Sequence, residues 1–211
     1  MLLVQHVLCT LITAMMIFSG CTPPVEEAND IRTDDDVTSS VADEIWEPVN
    51  AVVDGDTINR VNEEGELEGK WLRKYGDGSF MCTGNYSNGA KDGYWERKFP
   101  NGNWEYQLNF KDGEMHGTGK LYYENGQLRK EATYESGGEQ GEVISYREDG
   151  TIEEKQWYIN GIKGGKCELY NAEGELEARG AYAYNRRNGV WVFYKDGVET
   201  MQLEYDNGAI K

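Results

Sequence analysis

Gly93-Tyr94-Trp95-Glu96-Arg97-Lys98-Phe99-Pro100-Asn101-Gly102-Asn103-Trp104-Glu105-Tyr106-Gln107-Leu108-Asn109-Phe110-Lys111-Asp112-Gly113 reads as strand, turn, strand, turn. The first run sets its aromatics two or four residues apart, and Pro100-Asn101-Gly102 ends it. Trp104 to Phe110 alternates between apolar and polar residues. That is the period of a strand with one face packed and one face wet. On this alternation Trp104, Tyr106, Leu108 and Phe110 share a face. Asn-Gly and Asp-Gly then supply the positive φ that tight hairpin turns need, at little steric cost.

The same signal spreads outward in both directions. Gly69, Gly93, Gly117, Gly141, Gly165 and Gly189 are 24 residues apart. Gly78, Gly102, Gly126, Gly150 and Gly174 keep that spacing, with Gly197 one residue early. Tyr86, Phe110, Tyr134, Tyr158 and Tyr182 form a third series, and Tyr205 is again one early. Three series on one period define a repeat array. Asp77-Gly78, Asn88-Gly89, Asn101-Gly102, Asp112-Gly113, Asn125-Gly126, Asp149-Gly150, Asn160-Gly161, Asp196-Gly197 and Asn207-Gly208 mark its turns. Six repeats fill 69–211, and residues 51–68, with Thr57–Val61 as a strand, read as an N-terminal capping half-repeat. The expected fold is all-β: an elongated, single-layer, twisted antiparallel sheet of consecutive β-hairpins, about 60 Å long at the usual strand spacing. One hairpin alone is marginal, so neighbouring repeats must stabilise each other.

Runs such as Gly93 to Phe99 with Asn101-Gly102, or Gly117–Tyr123 with Glu124-Asn125-Gly126-Gln127-Leu128, resemble the bacterial variant of the MORN repeat. The likeness covers about residues 54–211. It implies a sheet used for scaffolding or binding, and some bacterial members carry an antitoxin-type label. The chain departs from the pattern in places. Trp71, Trp95 and Trp191 hold the tryptophan position, but Gly119, Val143 and Cys167 replace it in repeats three to five. Tyr146 and Tyr170 fall one residue early, which implies a longer turn in repeats four and five.

The N-terminus differs in kind. Val7 to Phe18 is an apolar run of signal-peptide length, too short to span a bilayer. Phe18-Ser19-Gly20-Cys21 resembles a lipobox, although its first position is Phe and no Lys or Arg precedes the run. Residues 1–20 are thus expected to be a lipoprotein-type signal peptide, with Cys21 the lipidated residue. Residues 22–50 carry nine acids against Arg32, a net of −8, and residues 51–68 add −5. Only −4 of the chain's −17 remains for 69–211. Residues 21–50 read as an acidic, disordered tether. Such charge, with no basic stripe, argues against a nucleic-acid partner.

Chemistry is scarce beyond that point. His116 is the sole histidine after residue 20, which leaves no supply for triad catalysis or a His-rich metal site. Cys82 and Cys167 lie about seven strands apart, roughly 34 Å at the ladder spacing, too far to bridge, so both read as free thiols packed as small apolar residues. Carboxylate pairs such as Glu63-Glu64 and Glu153-Glu154 sit at strand ends, where a one-layer sheet offers little burial to raise a pKa. No enzyme activity, cofactor or metal is expected. The aromatics remain, and Trp71, Trp95, Trp104 and Tyr106 are the expected contacts for a partner. The resulting expectation is a lipid-anchored, non-catalytic binding or scaffold module of a bacterial cell envelope, held at the outer membrane or periplasmic side. Its partner would be an envelope protein or a cell-wall polymer. The alternatives are a dedicated cell-wall glycan-binding module, or a cytosolic antitoxin-like partner should residues 1–21 not be a processed signal.

Overall fold

Twelve strands of six to ten residues follow one another as hairpins. They are β1 (Leu67–Lys74), β2 (Phe80–Ser87), β3 (Ala90–Lys98), β4 (Trp104–Lys111), β5 (Gly117–Tyr122) and β6 (Leu128–Glu135). Then come β7 (Gly141–Tyr146), β8 (Ile152–Ile159), β9 (Ile162–Tyr170), β10 (Leu176–Ala183), β11 (Arg186–Lys195) and β12 (Val198–Asp206). Each pairs antiparallel with the next, giving one long sheet of consecutive hairpins that does not close into a barrel. The computed structural model describes residues 45, 46, 50–53 and 55–211, all within the unit Val37–Lys211. The readings of residues 1–20 as a signal and of Cys21 as a lipid site lie outside the described residues, as does the tether 21–50 apart from Asn50 and Ile45–Trp46, a two-residue strand paired with β1 at Lys74 and Arg73.

The turns fall into two classes, one on each edge of the sheet. On one edge Asn88-Gly89, Asp112-Gly113, Asn160-Gly161 and Asn207-Gly208 have both residues at positive φ. This is the two-residue hairpin turn that the strand twist favours. On the other edge, in the hairpins before the last, only the glycine is left-handed, and where an Asx precedes it that residue accepts the N–H two residues on: Asp77 from Ser79, Asn101 from Asn103, Asn125 from Gln127 and Asp149 from Thr151. Repeats four and five do not have the longer turn expected of them. The N–H of Arg147 donates to Thr151 O at 2.9 Å and that of Asn171 to Glu175 O at 2.9 Å, as Tyr123 does to Gln127 at 2.8 Å. Tyr146 and Tyr170 are strand residues opposite Ile152 and Leu176, and Arg147 and Asn171 occupy the turn position that Tyr123 holds in repeat three. The early Gly197 and Tyr205 have a simpler origin. The last hairpin uses the two-residue turn Asp196-Gly197 between Lys195 and Val198.

Two devices lock repeat to repeat. Turn glycines on the two-residue edge donate into the preceding repeat: Gly89 to Leu67 O, Gly113 to Lys91 O, Gly137 to Met115 O and Gly161 to Glu139 O, at 2.8–3.0 Å. On the other edge side chains reach forward. Tyr75 Oη donates to Lys98 O at 2.5 Å and Tyr123 Oη to Tyr146 O at 2.8 Å, while Arg147 Nη2 donates to Tyr170 O at 2.5 Å. The exchange of Tyr for Arg therefore keeps the stitch. Each such bond is worth about 0.5–1.5 kcal/mol net, and it is repeated at successive junctions.

The N-terminal edge corrects the expected strand at Thr57–Val61. Asp56–Ile58 pairs with Ala51–Val53 in a separate two-stranded sheet, and Arg60–Val61 pairs with β1 at Glu68 and Leu67. Between them Asn59 sits fully buried at φ 54. Its carboxamide accepts from Leu72 N at 2.8 Å and donates to Leu72 O at 3.1 Å, so one side chain stands in for a missing strand residue.

Candidate binding surface

The packed face of the sheet is a column of rings. Trp71, Tyr86, Trp95 and Phe110 meet edge to face with centroids 5.6, 5.0 and 6.4 Å apart. Tyr182, Trp191 and Tyr205 repeat this at 5.3 and 6.4 Å. Each contact adds about 0.5–1.5 kcal/mol beyond area burial. Trp95 lies flat over Gly84 and Trp191 over Gly180, so that a Cβ on either glycine would overlap the indole. Their indole N–H groups donate to Asn85 O and Ala181 O, both at 3.0 Å. Lys91 covers Trp95 and Phe110 from 4.8 and 5.2 Å, and Arg187 covers Trp191 from 4.4 Å.

This packing decides where the expected contact residues sit. Trp71, Trp95 and Tyr106 are 5, 2 and 4% exposed and lie within the packed face. Trp104 is half-buried on the opposite face, because the pairing of β3 with β4 shifts between Arg97 and Lys98. Glu105 is the extra residue there, and it ion-pairs with Arg97 at 2.8 Å. The bulge breaks the strict alternation, so Trp104 parts from Tyr106 and instead meets Phe80 at 6.4 Å with Lys98 4.4 Å over its ring. The four residues are not gathered on one surface.

The remaining reactive groups are packed or solvated. Cys82 and Cys167 are free, buried thiols, as the strand spacing implied. Cys167 Sγ donates to Glu154 Oε1 at 3.6 Å, and Lys163 Nζ holds that carboxylate at 3.1 Å. Burial first, and the Glu154 charge second, push the Cys167 thiol up to about 12. It stays protonated at neutral pH, and the protonated thiol is a poor nucleophile. His116 is exposed between Met115 and the start of β5, where its backbone N–H donates to Asn109 O at 2.8 Å. Among the described residues no group of His, Cys, Asp and Glu is placed to hold a metal ion.

A different surface emerges on the unpacked face, along the edge of two-residue turns. Trp157, Ile159 and Ile162 are 45, 53 and 42% exposed. Ile159 and Ile162 pair directly across the Asn160-Gly161 turn, and Trp157 is two residues along β8 on the same face. The repeat itself supplies the comparison. Where repeat four has Trp157, the others have Asn85, Asn109, Thr133, Ala181 and Glu204. Ile159 replaces Ser87, Lys111, Glu135, Ala183 and Asp206, and Ile162 replaces Ala90, Glu114, Gly138, Arg186 and Ala209. Gly164 replaces Asp92, His116, Gln140 and Asn188. Its absent side chain leaves Ile159 uncovered, since a Cβ there would lie 3.5 Å from Ile159 Cδ1. Nothing in the hairpin frame requires apolar residues at these positions. Alignment of the repeats in the sequence carries this signal, but a search for aromatic density in repeats one to three passes over it.

Residues 91–112 and 115–136 match the MORN repeat variant. These segments are repeats two and three as the hydrogen-bond frame delimits them, and they support a MORN-repeat origin for the array. The bacterial, antitoxin-type and lipoprotein features go beyond that match. Comparison with curated proteins finds no match.

Proposed function

We propose that this protein is a non-catalytic, lipid-anchored binding scaffold of a bacterial cell envelope, presenting its hairpin array to a protein or polymer partner. MORN repeats are generally binding and scaffolding modules, and the packed ring column leaves the opposite face free to serve as a surface. The observation that carries the reading is the exposed Trp157, Ile159 and Ile162 at positions that are polar or small in every other repeat. A solvent-facing apolar group that the fold does not need marks a site of contact. The lipid anchor rests on Phe18-Ser19-Gly20-Cys21 and places the array on the outer membrane or periplasmic side.

A photo-crosslinking residue at Trp157, compared with the same residue at Asn109, tests this in cells. The two positions are equivalent in the repeat and differ only in the surface they occupy. A partner crosslinked from 157 and not from 109 supports the reading. Equal or absent crosslinking at 157 removes it. Sedimentation with purified cell wall distinguishes a glycan partner, with loss on Trp157→Ala as the decisive result. The mass of the N-terminal peptide tests the anchor separately. An acylated Cys21 supports it, and an intact Met1 returns the cytosolic antitoxin-like alternative.

A further inference from the structure

Charge around the exposed apolar group is unlike that of the rest of the chain. Residues 155–167 and 178–190 hold Lys155, Lys163, Lys166, Arg179, Arg186 and Arg187 and no Asp or Glu, in a protein of net charge −17. Four of these cations are already engaged. Lys163 pairs with Glu154, Arg187 covers Trp191, Lys155 lies 5.7 Å over Tyr170 and Arg179 lies 5.5 Å over Tyr194. Lys166 and Arg186 are exposed, and among the described residues neither makes an ion pair or a ring contact. Both share the face of Trp157, Ile159 and Ile162. Lys166 lies opposite Ala181 and Arg186 opposite Ala183, at the pairing step that Ile159 and Ile162 occupy one repeat earlier. Glu142, opposite Trp157, and Glu135 bound the group on its N-terminal side, and Glu168, two residues along β9 from Lys166, lies between Lys155 and Arg179 and accepts from Tyr170 Oη.

We infer that this face of repeats four and five docks an acidic polypeptide segment of a partner protein, one whose apolar side chains alternate with carboxylates. The inference rests on the scaffold reading above and adds the partner's chemistry to it. Apolar side chains of the segment cover Trp157, Ile159 and Ile162, and its carboxylates meet Lys166 and Arg186. Cations left unpaired beside exposed apolar surface gain from a ligand that supplies both complements at once. A nucleic acid fits poorly. Two cations neutralise few phosphates, which leaves little of the counterion release that drives nucleic-acid binding.

Fluorescence anisotropy of the full chain with a labelled synthetic peptide of alternating Glu and Leu tests this. The same peptide with Gln or with Lys in place of Glu serves as the comparison. The Glu–Leu peptide is expected to bind about tenfold tighter than the Gln–Leu peptide, and rising salt should erase the difference. Lys166→Gln with Arg186→Gln removes that preference, Trp157→Ser with Ile159→Ser weakens all binding, and Lys70→Gln changes nothing. Near-ultraviolet circular dichroism checks that each variant keeps the ring column. Equal affinity for the Glu and Lys peptides overturns the inference. So does Trp157-dependent binding of phosphatidylserine vesicles or an oligonucleotide without peptide binding, or Trp157-dependent self-association in sedimentation. Crosslinking from position 157 in cells together with failure of the Glu–Leu peptide leaves the scaffold reading standing and removes only the acidic class.

Discussion

Side-chain sizes are matched between neighbouring strands of the packed face. Trp95 lies over Gly84 and Trp191 over Gly180, whereas Gly119 has Leu108 against it and a Cβ there would come within 2.5 Å of Leu108 Cδ2. Val143 with Ala132, and Cys167 with Gln156, complete the set at the same spacing of 11 residues. The departures from tryptophan in repeats three to five are therefore size exchanges with a partner, and that compensation is legible in sequence once the pairing is known. Gly84→Ala should destabilise by about 1–3 kcal/mol, because the indole must leave its place. Gly84→Leu combined with Trp95→Gly, copying repeat three, should be more stable than either single change. Chemical denaturation of the four proteins measures the coupling. Asn59→Ala should cost about 1–3 kcal/mol through the peptide group of Leu72 left unsatisfied, and should speed exchange of the Leu72 amide. Its role was not legible, since an asparagine between two short strands looks like any turn residue. Cys167 adds a pH effect. A thiol raised from 9.0 to about 12 binds its proton more tightly in the folded state, so its stabilisation holds below pH 9 and is lost as pH rises toward 12. Denaturation midpoints should fall over that window, and less steeply in Cys167→Ala.

Strands and turns were the most legible level, because a period of two and Asx-Gly pairs act locally. The bulges were not. The shift between Arg97 and Lys98 recurs between Arg73 and Lys74, Leu121 and Tyr122, and Ser145 and Tyr146, and it moves the residue after the turn to the other face. Strict alternation therefore mis-assigned Trp104. Tyr184 tests the turns in another way. It takes the left-handed position at φ 51 that Asn88, Asp112 and Asn160 fill elsewhere, and it is 83% exposed. A bulky residue there is strained without burying its ring. Tyr184→Asn should raise stability by about 1 kcal/mol, read as a higher Tm with an unchanged denaturant m-value. A fall in stability would mean that the ring makes a contact the fold needs.

At the scale of the whole chain, the 24-residue period settled the architecture but not the surface. A repeat makes core residues conspicuous, since they recur, and the aromatic series Tyr86 to Tyr205 was conspicuous for that reason. Binding residues need not recur, and Trp157, Ile159, Ile162 and Gly164 stand out only as exceptions to the repeat. The central claim is that recurring rings hold the array together while the exceptional ones face a partner. Hydroxyl-radical footprinting of the folded protein, read at individual tryptophans by mass spectrometry, tests both halves at once. Trp157 should oxidise faster than Trp104, while Trp71, Trp95 and Trp191 stay protected until the sheet unfolds. Oxidation of Trp71 and Trp95 as fast as that of Trp157 would contradict the account, because the ring column would then be open surface.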